Sequence, residues 1–384
     1  MTKPISIAAL TRSCYVGMFV FGIVFTILGA LLPLLLQSRN VSVAQAGSLF
    51  FFLNLGSLVA VLVAGPLLDR TGYRTTLVVS PLLIAFSFVV LGVGPSYPVL
   101  AFACWILGLG GGALNIATNA FVSDLHPEDR TVALNRLGMF FCIGAIFIPL
   151  LMGSLLAVLG IQKIILVATA VVLLPALLFW MPAFPEAKQR EPVSLRSILE
   201  ALAHPFVLLM GILLFFESGG EFSSGGWITS FFISARGLSN RQAPWILAML
   251  WLAVMVGRLS VGIWLKRIPE IRFVFLSAFG GALCWLLLLY SRLLTLQVLA
   301  VPLLGFCLAG IFPTCLSIAG ARFPKDSGAV FGALFAIGTL GGMSVPYAVG
   351  QLASHNGITS GMAILPFCSA AVAILSRRVG PSRQ

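Results

Sequence analysis

The sequence predicts an all-α membrane protein with twelve transmembrane helices, arranged as two six-helix bundles. Three observations lead to this fold class. Of the 384 residues, 59% are hydrophobic and only 9% are charged. About twelve long apolar runs follow one another, and a set of glycines, prolines and charged residues recurs at one fixed offset. Because soluble domains carry about 25% charged residues, the composition excludes ordinary soluble enzymes, disordered proteins and nucleic-acid binders.

The apolar runs are each long enough to cross the hydrocarbon core of a bilayer, which takes about 20 helical residues. They lie at residues 10–37, 43–68, 75–95, 97–124, 132–159, 163–182, 205–235, 242–264, 272–291, 295–321, 327–353 and 357–376. The segments between them are too short for a folded soluble domain. The first run has no small-residue cleavage site behind it, so we interpret it as a retained span.

The net charge of +12 reflects membrane topology rather than a nucleic-acid ligand. With an even number of spans, both termini and every second loop share one side, where 18 of the 23 Lys and Arg residues fall. The remaining five are Arg39, Lys163, Arg236, Arg241 and Arg292. Since cytoplasmic loops are enriched in Lys and Arg, the sequence predicts a cytoplasmic (inner) membrane protein with both termini in the cytoplasm.

An internal repeat relates the two halves of the chain at an offset of 197 residues. The matching pairs are Gly65/Gly262, Arg70/Arg267, Pro127/Pro324, Asp129/Asp326, Gly144/Gly341, Pro149/Pro346 and Gly153/Gly350. We therefore predict an N-terminal six-helix bundle at 1–181, a cytoplasmic linker at 182–204 and a C-terminal six-helix bundle at 205–384. Parallel repeats of six spans are the layout of alternating-access transporters, which hold substrate between the halves.

The loop between spans two and three, GPLLDRTGYR at residues 65–74, resembles the GxLxDRxGxR loop of the major facilitator superfamily. Gly65 permits close helix approach, Asp69 can cap a helix N-terminus, and Arg70 needs a carboxylate partner such as Asp124. The resemblance implies a cytoplasmic gate and says nothing of the substrate. The predicted gate residues are Gly65, Asp69, Arg70, Gly72, Arg74 and Asp124.

Three further stretches are similar to the fucose permease and related sugar symporters. They are GGGALNIATN at 110–119 on span four, ALN at 133–135 with Gly144 to Gly153 on span five, and GGEFSSGGW at 219–227 on span seven. The resemblance implies a hexose or related sugar as substrate. It also implies coupling carboxylates on spans one and four, where this chain has only Gly29 and Asn115. Either Glu221 couples transport to protons alone, or the chain is an uncoupled facilitator.

Span seven carries two carboxylates, Glu217 and Glu221, which stand four residues apart and share one helix face. Charged groups inside a membrane are costly and are usually functional. Glu221 is predicted to accept hydrogen bonds from a hydroxylated substrate or to carry a proton, and Glu217 is a second coupling candidate. The surrounding glycines suggest a helix that unwinds easily. In the alternative, Glu217 lies in water near the outer mouth and the glycines serve close packing.

Four other residues are predicted to contact substrate. Trp227 can stack on a sugar ring, or it anchors the outer rim of the span. Asn115 and Asn119, also four apart, can bond to hydroxyl groups, or they link helices. Asn54 on span two is a further pocket candidate.

The sequence offers no sign of an enzyme, a cofactor or a metal site. There is no phosphate-binding Walker loop, no His/Glu/Cys cluster and no nucleophile elbow, and the seven cysteines lie within apolar runs as small hydrophobes. We predict a monomeric transporter in the lipid bilayer, with a sugar-like substrate, a proton or another cation as a possible co-substrate, and no nucleic-acid partner. The alternatives are a polyspecific exporter of hydrophobic compounds and a transport-dead receptor or scaffold.

Overall fold

A computed structural model describes residues 6–38, 41–94, 96–180, 184, 195–324 and 326–379, with side chains at all of these except 38, 64–71, 130, 131, 195 and 327. The described residues form helices and no β-strand. The helices are α1 (Ile7–Ser38), α2 (Val43–Val93), α3 (Tyr97–Leu125), α4 (Arg130–Trp180), α5 (Leu195–Leu202), α6 (Pro205–Arg236), α7 (Ala243–Leu265), α8 (Glu270–Tyr290), α9 (Leu294–Leu308), α10 (Ile311–Arg322), α11 (Ser327–Asn356), α12 (Ile358–Met362) and α13 (Ile364–Ser376).

Within the described ranges, eleven helical segments are long and apolar enough to cross a membrane. One of them, Val132–Trp180, has 49 residues. At 1.5 Å per residue it is about 74 Å long, which is more than twice the roughly 30 Å hydrocarbon core. It therefore supplies two spans, which brings the number to twelve. The predicted all-α fold with twelve spans is confirmed.

Glycines divide the long helices where the sequence predicts loops. Gly72 in α2 has φ 74° and Gly160 in α4 has φ 70°, in the left-handed region that glycine adopts without steric cost. These breaks fall between the predicted spans two and three, and five and six. Span ten, predicted as one run, is also divided: α9 ends at Leu308 and α10 begins at Ile311, with Gly310 between them.

The chain divides into two compact units. Unit 1 comprises Met1–Leu31 and Phe52–Pro192, and unit 2 comprises Leu32–Phe51 and Val193–Gln384. Unit 2 is built around an apolar cluster to which α6, α8, α10, α11 and α13 contribute. The C-terminal end of α1 from Leu32 and the start of α2 up to Phe51 are thus part of unit 2. The predicted division at residues 181 and 205 stays a prediction.

The sequence repeat corresponds to repeated close contacts within each unit. In unit 1, a methyl group added to Gly108 of α3 would overlap the backbone carbonyl of Leu53 in α2. In unit 2, 197 residues later, a methyl group at Gly305 would overlap the carbonyl of Leu250. Small residues that allow backbones to touch are the main packing device of membrane helices. The repeated glycines therefore encode the same helix contact twice.

The predicted linker contains the short helix α5, which is amphipathic. Ile198 packs on Gly332 of α11 and joins the apolar cluster of unit 2. On the polar side, Arg196 and Glu200 form an exposed ion pair of 2.8 Å. A helix with these two faces is suited to the membrane–water interface.

Candidate functional site

Helix α6, which carries the two candidate carboxylates, is continuous from Pro205 to Arg236 despite its glycines. The segment around the two carboxylates is helical in this structure, and its ease of unwinding stays a prediction. A methyl group at Gly219 would collide with Val345 of α11, and one at Gly226 would collide with the ring of Phe50. The glycines therefore allow neighbouring side chains to pack closely against α6, and this packing stabilises the helix.

Glu221 forms an ion pair with Arg258 of α7. The distance from Glu221 Oε1 to Arg258 Nη2 is 3.6 Å, and the two side chains are 12% and 32% exposed. Arg258 lies inside an apolar span, where an arginine needs a partner or a route to water. An arginine near the cytoplasmic end of a predicted span is otherwise expected to reach lipid phosphate groups or to pair at the gate. The structure places its guanidinium beside the carboxylate of Glu221.

Glu217 lies one turn before Glu221 and is 2% exposed, so the alternative of a water-exposed outer position is wrong. The Ser218 hydroxyl donates a hydrogen bond of 3.2 Å to Glu217 Oε2. Among the described residues, Oε1 has no hydrogen-bond partner. Glu217 borders a cavity of ≈ 10 Å³, about the least volume that holds one water molecule.

Trp227 is fully buried in unit 2. Its indole N–H donates a hydrogen bond of 3.1 Å to the carbonyl of Pro346 in α11, and its ring lies 5.9 Å from the ring of Phe50. A tryptophan whose polar edge is satisfied inside the protein is not an interfacial anchor. A sugar reaches this ring only after the neighbouring side chains move.

Asn115 and Asn119 of α3 lie in unit 1 and are both partly exposed. Asn119 Nδ2 donates hydrogen bonds to Asn115 Oδ1 at 2.8 Å and to the Asn115 carbonyl at 2.9 Å. The pair thus presents one connected amide surface on a single helix face. Asn54 of α2, also in unit 1, is fully buried.

The predicted cytoplasmic gate is described only in part. Gly65, Asp69 and Arg70 lie outside the residues whose side chains are described. Asp124 accepts a hydrogen bond of 2.6 Å from the hydroxyl group of Tyr73, which directly follows the break at Gly72.

Arg74 anchors the same loop to the end of span six. Its guanidinium donates to the Trp180 carbonyl and lies over the Trp180 ring at 5.7 Å. The two residues after Gly72 therefore join the loop to α3 and α4, a connection that the sequence motif does not specify.

The candidate residues thus form separate groups. Unit 2 brings together Glu217, Glu221 and Arg258, with Trp227 further along α6. Unit 1 brings together Asn115 and Asn119. The pairing of Arg258 with Glu221 was not predicted from the sequence. The one available signal was an arginine inside an apolar run in a chain whose spans contain few carboxylates.

Similarities to known proteins extend over nearly the whole chain. A sequence profile described as Major Facilitator Superfamily matches residues 14–346. The glucose/mannose transporter GlcP of Bacillus subtilis (strain 168) is 24% identical over 369 residues, covering 91% of this chain and 89% of GlcP. The E. coli fucose:proton symporter FucP aligns with a TM-score of 0.67 and 19% identity, over 97% of this chain and 98% of FucP. The nucleoside transporter NupG aligns with a TM-score of 0.81 and 14% identity, over 97% and 98% of the two chains.

The solved structures support the fold, and the profile covers most of the chain. The resemblance inferred from the loop at residues 65–74 is thereby confirmed. With its twelve spans, its repeated glycine contacts and this profile match, the chain belongs to the Major Facilitator Superfamily.

Proposed function

We propose that this protein moves a hexose or a related sugar across the cytoplasmic membrane by alternating access, in symport with protons. The observation that carries the proposal is the partly exposed ion pair between Glu221 and Arg258 inside the spans. Charged groups are kept in such positions for substrate, ion or proton pathways.

The chemistry of the pair suits a polyhydroxylated ligand. At 3.6 Å the two groups are too far apart for a hydrogen bond between them. A sugar hydroxyl can donate to Glu221 and accept from Arg258 at the same time. The similar proteins have names that refer to glucose, mannose, fucose and nucleosides, which share a hydroxylated sugar ring. An exporter of hydrophobic compounds needs a mainly apolar and aromatic site instead.

The proposed substrate contacts are Glu221, Asn115, Asn119, Trp227 and Asn54. The partly exposed amides of Asn115 and Asn119 can bond to hydroxyl groups in the present structure. Trp227 and Asn54 are buried, so they can contact substrate only after the side chains around them move. The proposed coupling groups are Glu221 and Glu217.

The remaining proposals concern the membrane, the orientation of the chain, its moving parts and its partners. We propose an inner-membrane monomer with both termini in the cytoplasm, because Lys and Arg are concentrated on one side of the spans. The halves at 1–181 and 205–384 move relative to each other, and the gate at Gly65, Asp69, Arg70, Gly72, Arg74 and Asp124 opens and closes the cytoplasmic side. The lipid bilayer, a sugar and protons are the partners, and nucleic acid is not one.

The test is uptake of a labelled hexose panel into proteoliposomes, with and without an inward proton gradient. We expect accumulation that depends on the gradient, and a much weaker apparent affinity for sugar in Glu221→Gln. The matched control is Glu200→Gln, the same change on the exposed face of α5, which should transport like the wild type. Equal uptake with and without the gradient would identify a facilitator. No hexose uptake, together with export of lipophilic compounds, would overturn the sugar assignment.

A further inference from the structure

Among the described residues, unit 2 brings two carboxyl groups and one base into one small region of its interior. Arg258 lies 3.6 Å from Glu221. Among the described residues, no ion pair within 4.0 Å is formed by Glu217, although it acts electrostatically on Glu221 and Arg258. If both carboxyl groups were ionised, the group would carry one uncompensated negative charge inside the membrane.

Among the described residues, the groups around Glu217 do not balance this negative charge. Its side chain is buried, Oε2 accepts one hydrogen bond from Ser218, and Oε1 has no partner among the described residues. The cavity that it borders is lined mainly by apolar groups, which include Phe216, Leu308 and Val372. An isolated ionised carboxylate in such surroundings is far more costly than a neutral acid.

We propose that Glu217 holds the coupled proton in an interior pocket of unit 2, separate from the Glu221–Arg258 pair that contacts substrate. This inference rests on the proposed function and decides between its two coupling candidates. Glu221 keeps its charge because Arg258 compensates it. Glu217 is a neutral acid from before substrate binds until substrate has left, and it releases the proton as a carboxylate only then, as symport requires.

The cavity beside Glu217 gives the proton a route. It has room for about one water molecule and is also lined by Ser369 of α13 and Gly281 of α8. Leu308 and Ile311 line it as well, and they flank the break between α9 and α10. A water molecule there can accept from the acid and donate to the Ser369 hydroxyl. Opening of the helix break would connect this water to solvent without separating Glu221 from Arg258.

Few other groups act on the proton at this site. Among the described residues, the charged and titratable neighbours are Glu221 on the same helix, Arg258 on α7 and the Cys315 thiol on α10. From α8 and α13, the described residues that line the cavity are Ala278, Gly281, Ser369 and Val372, which carry no charge. Besides burial and the Ser218 hydrogen bond, the described charged groups that act on Glu217 are therefore Glu221 and Arg258.

The first test compares wild type, Glu217→Gln and Glu221→Gln in proteoliposomes loaded with a pH-sensitive dye. Glutamine mimics the neutral acid, so Glu217→Gln should retain sugar exchange but lose proton uptake and accumulation above equilibrium. Glu221→Gln should instead weaken sugar binding, and Glu200→Gln should match the wild type. Accumulation in Glu217→Gln equal to the wild type would overturn the inference while the proposed function stands. Uptake driven by a sodium gradient at equal pH would assign a sodium ion to the pocket and overturn it also.

The second test needs neither sugar nor transport, so it remains informative if the proposed function fails. Infrared difference spectra of wild type minus Glu217→Gln, in lipid at neutral pH, report the carboxylic acid C=O stretch of Glu217. A protonated-acid band supports the inference, and a carboxylate band in its place refutes it. If Glu217→Gln does not fold, the wild-type acid band can be compared with that of Ser218→Ala, which removes the hydrogen bond to Oε2. A shift of the band would assign it to Glu217, and an unchanged spectrum would count against the inference.

Discussion

The ion pair between Glu221 and Arg258 allows a quantitative test of how strongly its environment is desolvated. At a separation of 3.6 Å, Coulomb's law with an effective dielectric constant of about 20 gives roughly 4–5 kcal/mol. Partial exposure of Arg258 and the ordering of two long side chains reduce this value. We expect a coupling energy of about 1–3 kcal/mol from a double-mutant cycle with Glu221→Gln and Arg258→Gln.

The structure also predicts which of the two single variants is the less stable. Arg258→Gln removes the only described base near two carboxyl groups, so it should destabilise the protein most. In Glu221→Gln, Glu217 lies one turn away and can ionise to compensate Arg258, so the loss of stability should be smaller. The assay is the apparent free energy of unfolding of purified protein in detergent, measured for both single variants and the double variant.

The exposed pair on α5 provides the matched control for this cycle. Arg196 and Glu200 are closer, at 2.8 Å, but their side chains are 88% and 63% exposed. Exposed pairs four residues apart on a helix stabilise the folded state by about 0.3–0.5 kcal/mol. If the Glu221–Arg258 coupling is no larger than that of the control pair, burial does not strengthen the interior pair and our reasoning about it is refuted.

Two further predictions concern helix packing and the segment that follows Gly72. Gly144→Ala should destabilise unit 1 by about 1–3 kcal/mol, because the added methyl would overlap the carbonyl of Phe19. Gly138→Ala, on the same helix with open space around it, should be neutral or gain about 0.5–1 kcal/mol; equal melting of the two variants would contradict the close contact. Tyr73→Phe should cost about 1–3 kcal/mol through its lost bond to Asp124, and an unchanged melting temperature would show that this bond does not stabilise the loop.

The fold was predictable because its signals are local. Each span is marked by its own run of apolar residues, and the breaks at Gly72 and Gly160 fall where the runs are interrupted. The repeat added long-range information, since Gly108 and Gly305 proved to make the same contact in the two units. The break at Gly310 was not predictable, because the apolar run continues through it without a change in hydropathy.

The contacts of the candidate site were predictable only in part. The spacing of Glu217 and Glu221 placed them on one helix face, but it did not show how deeply each one lies. The depth of each carboxylate depends on the side chains of the neighbouring helices. Arg258 lies beside Glu221, and mainly apolar groups surround Glu217. Likewise, the Trp227 indole donates to a carbonyl 119 residues away, and no periodicity in the sequence relates two such positions.

The repeat itself separates residues that serve the fold from those that serve chemistry. Packing glycines recur at the offset of 197 residues, as Gly22 and Gly219 do in α1 and α6. Glu217, Glu221 and Arg258 do not recur, because valines stand at the corresponding positions 20, 24 and 61 of unit 1. If Glu217, Glu221 and Arg258 stabilised the bundle, the other half would need a similar device to form the same helix contacts. It forms them with valines, which argues that the fold does not require these charges and that they are present for function.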